Sequence, residues 1–241
     1  MKLLIIRHAD PNYEIDGLTE EGKREADLLT ERLVAEKPDY FYCSTMNRAY
    51  LTVKPTLEKL GLEAERCEWL REFGYAAVKF PEYDSTWGPW DAYPAFMEKN
   101  PDLYDPNRWY DNPIFEGAET KKHYLGVVRE LDALLEKHGY RRDGYNYSVE
   151  HENHDTVALV CHFGVSGVLL SRLMNCSPYS VWQHGVMLPS SVTVLHTEER
   201  ERGIASFRMC EYGSLSHLYK AGVEPSFAAR FCECFSDETR H

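Results

Sequence analysis

Residues 2–8 read Lys2-Leu3-Leu4-Ile5-Ile6-Arg7-His8, a short apolar run that stops on an arginine and a histidine. An unbroken run of this length, without alternation, is the pattern of a β-strand covered on both faces. The pattern returns at Thr156-Val157-Ala158-Leu159-Val160-Cys161, which also runs straight into a histidine, His162. Packing alone would favour apolar residues at both strand ends. Two buried strands that each terminate on histidine, one beside an arginine, therefore point to a shared polar site.

Between and after these strands, strand and helix signals alternate. Thr19 is placed to cap a helix that carries Glu20 and Glu21 in its first turn and Ala26, Leu29 and Leu33 on its apolar face. Tyr40–Cys43 reads as a strand, followed by a helix from about Met46 with Ala49, Val53, Leu57 and Leu60 inward and Gly61 as its stop. A third strand is expected within Ala64–Leu70. From Phe73 to Phe115 the chain is crowded with aromatic residues and prolines, an ordered excursion of roughly residues 75–118 from the alternating scaffold. Leu125, Val128, Leu131 and Leu135 then define a helix ending near Gly139, and the polar stretch Arg141–Asp155 reads as a surface loop. A helix over Gly164–Met174, strands at Ser191–His196 and Ala205–Met209, and a terminal helix at Ser226–Phe235 complete the expectation.

This order predicts one α/β domain over residues 1–241, with a mostly parallel sheet sandwiched by helices. Ligands of such sheets collect beyond the carboxyl ends of the strands. Arg7 and His8 end one strand, Arg48 opens the helix after another, Glu72 follows the third and His162 ends the fourth, so all five are expected on one edge.

Composition narrows the function. With 27 basic and 39 acidic side chains the formal charge is −12, a field that disfavours nucleic acid and anionic membranes. An anionic substrate would need a local cationic pocket. No stretch approaches the roughly 20 apolar residues of a membrane span, and the first residues do not form a signal peptide, so a cytoplasmic location is expected. The seven cysteines lack a framework spacing and read as reduced thiols. Neither Cys232-Glu233-Cys234 nor His151-Glu152-Asn153-His154 has the spacing of a zinc site, and no metal or cofactor is expected.

Several segments, in order, resemble the histidine phosphatase superfamily, also called phosphoglycerate mutase-like. Ile6-Arg7-His8-Ala9 is similar to its R-H-G motif, Leu18-Thr19-Glu20-Glu21-Gly22 to L-T-x-x-G, and Ser44 through Thr52 to S-x-x-x-R-A-x-x-T. Leu70-Arg71-Glu72-Phe73-Gly74 resembles the segment bearing the family's acidic residue, and Val160-Cys161-His162-Phe163-Gly164 the second histidine motif. The resemblance implies a phosphoglycerate mutase-like fold and a metal-independent phosphomonoesterase acting on a small phosphorylated metabolite. It implies that His8 attacks phosphorus to form a phosphohistidine, that Arg7, Arg48 and His162 bind the phosphoryl oxygens, and that Glu72 protonates the leaving oxygen. These roles also make chemical sense. Neighbouring arginines oppose protonation of a histidine nucleophile, and arginine forks match phosphate oxygens without losing charge.

The chain departs from the family pattern in three places. Ala9 stands where a glycine is usual, and Phe163 where a small residue is usual. Phe163 either narrows the phosphate pocket or turns away and presents only its backbone N–H. The mutase branch carries an asparagine six positions after its first histidine, where this chain has Glu14. That difference favours a phosphatase over a phosphomutase. A third reading, a phosphate-binding regulatory protein without turnover, is opposed by Glu72, which a pure binder does not need. Self-association into a homo-oligomer is compatible with all three.

Overall fold

The computed structural model describes all residues except 77, 82–86, 227–232 and 237–241. In chain order the first half runs β1 (Lys2–Arg7), β2 (Pro11–Asn12), β3 (Gly17–Leu18), α1 (Glu20–Glu36), β4 (Tyr40–Ser44), α2 (Asn47–Leu60), β5 (Ala64–Cys67) and α3 (Pro94–Lys99). The second half runs α4 (Thr120–Lys137), β6 (Tyr140–Asp143), β7 (Asn146–Val149), β8 (Thr156–Cys161), α5 (Phe163–Met174), α6 (Pro178–Trp182), β9 (Val192–Glu201), β10 (Ile204–Ser214) and α7 (Ser216–Lys220).

The two apolar runs that end on histidine lie side by side at the centre of an eight-stranded sheet of order β5-β4-β8-β1-β9-β10-β7-β6. Alternate side chains of these strands feed two cores, as the period of two requires. Leu4, Ile6, Ala158 and Val160 pack with Leu29 and Leu33 of α1 and Ala49, Val53 and Leu57 of α2. Leu3, Ile5, Val157 and Leu159 pack on the opposite face with Leu131 and Leu135 of α4 and Val165, Val168 and Leu169 of α5. Each fully buried side chain of this kind contributes roughly 1.5–3 kcal/mol, so helices on both faces follow from strands apolar on both faces.

β5, β4, β8 and β1 are mutually parallel. The other half of the sheet is antiparallel through β9, β10, β7 and β6, so the sheet is mixed where a mostly parallel one was expected. Part of this half comes from Arg141–Asp155, expected as a loop, where β6 and β7 form a hairpin turning at Gly144 with φ 56°. Its apolar content is little more than Tyr140 and Tyr147, whose burial depends on Phe207 of β10, 5.0 Å from the Tyr147 ring. Local alternation is too short to reveal such a hairpin. The buried face of α4 is also rotated from the expected one: Tyr124, Val127, Leu131, Leu134 and Leu135 face inward, while Leu125 is exposed. The strand expected within Ala64–Leu70 ends at Cys67 and gives way to a 3₁₀ turn. The terminal helix expected at Ser226–Phe235 falls largely outside the described residues.

The aromatic segment forms short helical turns around Trp109, which is fully buried and meets Tyr110, Phe115, Tyr124, Tyr179 and Trp182 with ring centroids 5.0–5.9 Å apart. Most of its rings thus hold the segment to the second core, and Trp90 is among those that reach the site.

Candidate active site

The register Arg7↔Cys161 between parallel β1 and β8 sets the following residues, His8 and His162, next to each other. Their ring centroids are 5.0 Å apart. The His8 N–H donates to the Cys161 carbonyl at 3.0 Å, locking one strand end to the other. β4 ends on Ser44, whose hydroxyl lies 2.8 Å from His162 Nε2, and α2 brings Arg48 in from the same edge. Arg7, His8, Arg48 and His162 are all buried. The expected residues therefore gather at the carboxyl end of the parallel strands.

His8 Nδ1 is 2.8 Å from the carbonyl oxygen of Ala9. A carbonyl only accepts, so Nδ1 carries the proton and Nε2 holds the lone pair. Burial pushes the His8 pKa down to about 3, with Arg7 adding to the effect, so the ring is neutral and nucleophilic at physiological pH. His162 is driven well below its ordinary value by burial, then by His8, Arg48 and Arg7. Arg7 Nε, Arg48 Nε and His162 Nδ1 are buried nitrogens without a hydrogen-bond partner. Buried polar atoms are nearly always satisfied, and three such nitrogens on these residues suit an anion with several oxygens.

Glu72 approaches from the turn after β5. Its Oε1 accepts from the N–H of Phe73 at 2.8 Å and from Val165 in the first turn of α5 at 3.1 Å. Both amides claim the same oxygen, so Oε2 is the one placed to carry a proton. Burial raises the Glu72 pKa against the opposing pull of these amides and of Arg7 and Arg48. A buried carboxyl with raised proton affinity, coupled to Arg7 and Arg48, is a group able to donate a proton near neutral pH.

Phe163 lies with its ring 5.5 Å from the Arg7 guanidinium carbon and edge-on to Trp90 at 5.9 Å. It thus packs against the arginine. Gly164 makes room for this wall: a Cβ there would come within 2.0 Å of the Trp90 ring and 2.7 Å of Glu72 Oε1. Gly164→Ala should therefore displace Trp90 and Glu72 together. Overpacking of this kind costs about 1–3 kcal/mol, and turnover should fall further than the melting temperature alone accounts for, as thermal denaturation and steady-state assay of the same sample would show.

Ser44 and Thr52 fall within a sequence motif that gives them no role, and Asp16 and Glu25 fall in none that points to the site. The Thr52 hydroxyl accepts from the Ala9 N–H at 2.8 Å and donates to the Arg48 carbonyl at 2.8 Å, tying the His8 loop to α2. Glu25 is buried behind that loop and accepts from the Asp10 N–H at 2.9 Å; burial raises its pKa to about 7. Asp16 pairs with Arg48 at 2.6 Å. Nothing local marks these residues, since each acquires its partner only through the fold. Among the described residues no helix is long and apolar enough to cross a membrane.

Comparison with known proteins places this geometry. A curated relative, phosphoserine phosphatase 1 of Hydrogenobacter thermophilus, is 27% identical over 228 residues, covering 88% of this chain and 95% of that protein. A mycobacterial glucosyl-3-phosphoglycerate phosphatase solved with VO3 shares the fold, with TM-score 0.54 and 18% identity over 88% of this chain and 98% of its own. A mutant phosphoserine phosphatase of Entamoeba histolytica solved with phosphoserine does so with TM-score 0.55 and 17% identity, covering 90% and 98%. The model of the histidine phosphatase superfamily (branch 1) matches residues 3–209, from the strand that delivers His8 past the one that delivers His162, and the chain belongs to that superfamily.

Proposed function

We propose that the protein hydrolyses a small phosphomonoester in two displacements, with His8 as nucleophile and Glu72 as proton donor. The observation that carries this reading is the fixed tautomer of His8, whose Nδ1–H is held by Ala9 and whose Nε2 is left to attack. In the first displacement the Nε2 lone pair bonds to phosphorus while the P–O ester bond breaks, and the departing oxygen takes the proton of Glu72. The positive charge that develops on the ring is met by the Ala9 carbonyl. In the second, water attacks phosphorus, gives its proton to the Glu72 carboxylate, and the P–N bond breaks to return neutral His8 and release phosphate. Arg7, Arg48 and His162 hold the phosphoryl oxygens throughout. Such a site works by positioning and charge stabilisation and needs no metal.

Phosphatases among the relatives favour hydrolysis over phosphoryl return to a second acceptor, as does Glu14 in place of the mutase asparagine. Phosphoserine and glucosyl-3-phosphoglycerate, for which those relatives are named, are phosphomonoesters of carboxylic acids. A carboxylate-bearing leaving group is therefore proposed for this chain as well. The test is phosphate release, with EDTA present, from phosphoserine, 3-phosphoglycerate, sugar phosphates and nucleotides. The expected result is preferential release from the carboxylate-bearing esters. Release only with an added divalent ion would contradict the mechanism, and preference for nucleotides would contradict the substrate class.

A further inference from the structure

We propose that Asp16 is the residue that positions Arg48 for phosphoryl binding, a role that rests on the reading of the site given above. Asp16 lies at the tip of the β2–β3 hairpin, eight residues past His8, with a left-handed backbone at φ 47°. Its two carboxylate oxygens have separate tasks. Oδ1 accepts from Arg48 Nη1 at 2.6 Å, and Oδ2 accepts from the N–H of Asn47, the first residue of α2, at 2.7 Å.

Helix α2 needs this help. Its N-cap residue, Met46, has no side-chain oxygen to offer, so the free amides and positive end of the helix are met by a carboxylate from another segment. The same carboxylate then lies against the guanidinium one residue further on. Arg48 Nη2 points to Met46 Sδ at 3.4 Å, Nε is buried without a partner, and the Tyr13 ring of the hairpin covers the guanidinium at 5.4 Å. Asp16 thus holds one end of the fork and leaves the Nε side to a phosphoryl group. It also places a negative charge beside Arg48 in a pocket shared with Arg7, where two guanidiniums repel.

A carboxylate that merely occupied the place of substrate phosphate would have Arg48 as its anchor and would leave when substrate arrived. The second anchor on the α2 amide argues against that, because displacement would uncap the helix. The hairpin also springs from the His8 loop, with Thr19 N–H donating to the Asp10 carbonyl at its base, so Asp16 sets Arg48 relative to the nucleophile. Thr52 makes the matching connection from the other side.

The experiment is calorimetric binding of inorganic phosphate, alongside steady-state kinetics with an aryl phosphate, on the full chain. Asp16→Asn tolerates the left-handed backbone and keeps one acceptor, while Asp16→Gly relieves the backbone and removes the carboxylate. Both should weaken phosphate binding and raise KM by about tenfold, with kcat changed less, as loss of uniform binding requires. In an Arg48→Ala background Asp16→Asn should have no further effect, because the two residues act as one unit. Unchanged or tighter phosphate binding by Asp16→Asn would overturn the proposal, as would an undiminished effect without Arg48. Absence of phosphate binding by the wild type would instead overturn the reading of the site, and this proposal with it.

Discussion

His8→Ala is expected to lower kcat/KM for phosphomonoesters by at least about 10⁴-fold while leaving the fold in place. The size follows from the role. Alanine removes the only atom proposed to bond to phosphorus, and the neighbouring His162 has one ring nitrogen, Nε2, engaged with Ser44 at 2.8 Å. The substitution also removes a buried ring 5.0 Å from His162, so some change in stability is expected from the lost packing. Thermal denaturation separates that cost from the catalytic one. By contrast His162→Ala, which removes a charge stabiliser, should cost about 10²–10³-fold, the range for one donor to a developing anion. Equal losses for the two variants would remove the distinction between nucleophile and stabiliser.

The second large effect is expected at Glu72. Glu72→Gln keeps an oxygen for the amides of Phe73 and Val165 but has no proton to give. Turnover of alkyl phosphates should fall by about 10²–10⁴-fold, the usual worth of a general acid, whereas aryl phosphates, whose leaving oxygen needs little protonation, should fall far less. The pH dependence follows from the two shifted groups. Burial holds the His8 pKa down to about 3, so its protonation limits the rate only in strong acid. Glu72 must be protonated, and burial raises its pKa, so activity persists above the ordinary carboxyl range and declines as pH rises through the Glu72 pKa. That alkaline decline should be present in the wild type with an alkyl phosphate and absent from Glu72→Gln. An unchanged decline would assign it to another group.

The parts of the fold that depend on local pattern were readable before the structure. The unbroken runs Leu3–Ile6 and Thr156–Cys161 identify the two central strands, and their endings identify His8 and His162. The Thr19 cap and the Gly61 stop follow from residue types that suit those backbone positions; Thr19 accepts from the Gly22 N–H at 3.0 Å, and Gly61 has φ 66°. What escaped is what depends on distant partners. The β6–β7 hairpin is held through Tyr147 against Phe207, sixty residues away in sequence. Glu25 reads as an ordinary polar residue of a surface helix, and its burial against the Asp10 amide exists only once the His8 loop folds over α1. The inward face of α4 is not legible locally, because Leu125 and Val128 offer a helical spacing as good as that of Tyr124 and Val127, and only the neighbouring rings decide between them.

The central claim is that phosphorus is transferred to a nitrogen of His8. A phosphoramidate breaks down in acid and survives alkali, whereas an acyl phosphate of a carboxylate is lost in alkali and a serine ester survives acid. Rapid quench of the wild type with phosphate-labelled substrate should trap an acid-labile, alkali-stable phosphoenzyme whose label maps to His8. His162→Ala should form the same species more slowly, and His8→Ala should form none. Label that persists on His8→Ala and maps to His162, or a wild-type intermediate that alkali destroys, would contradict the account.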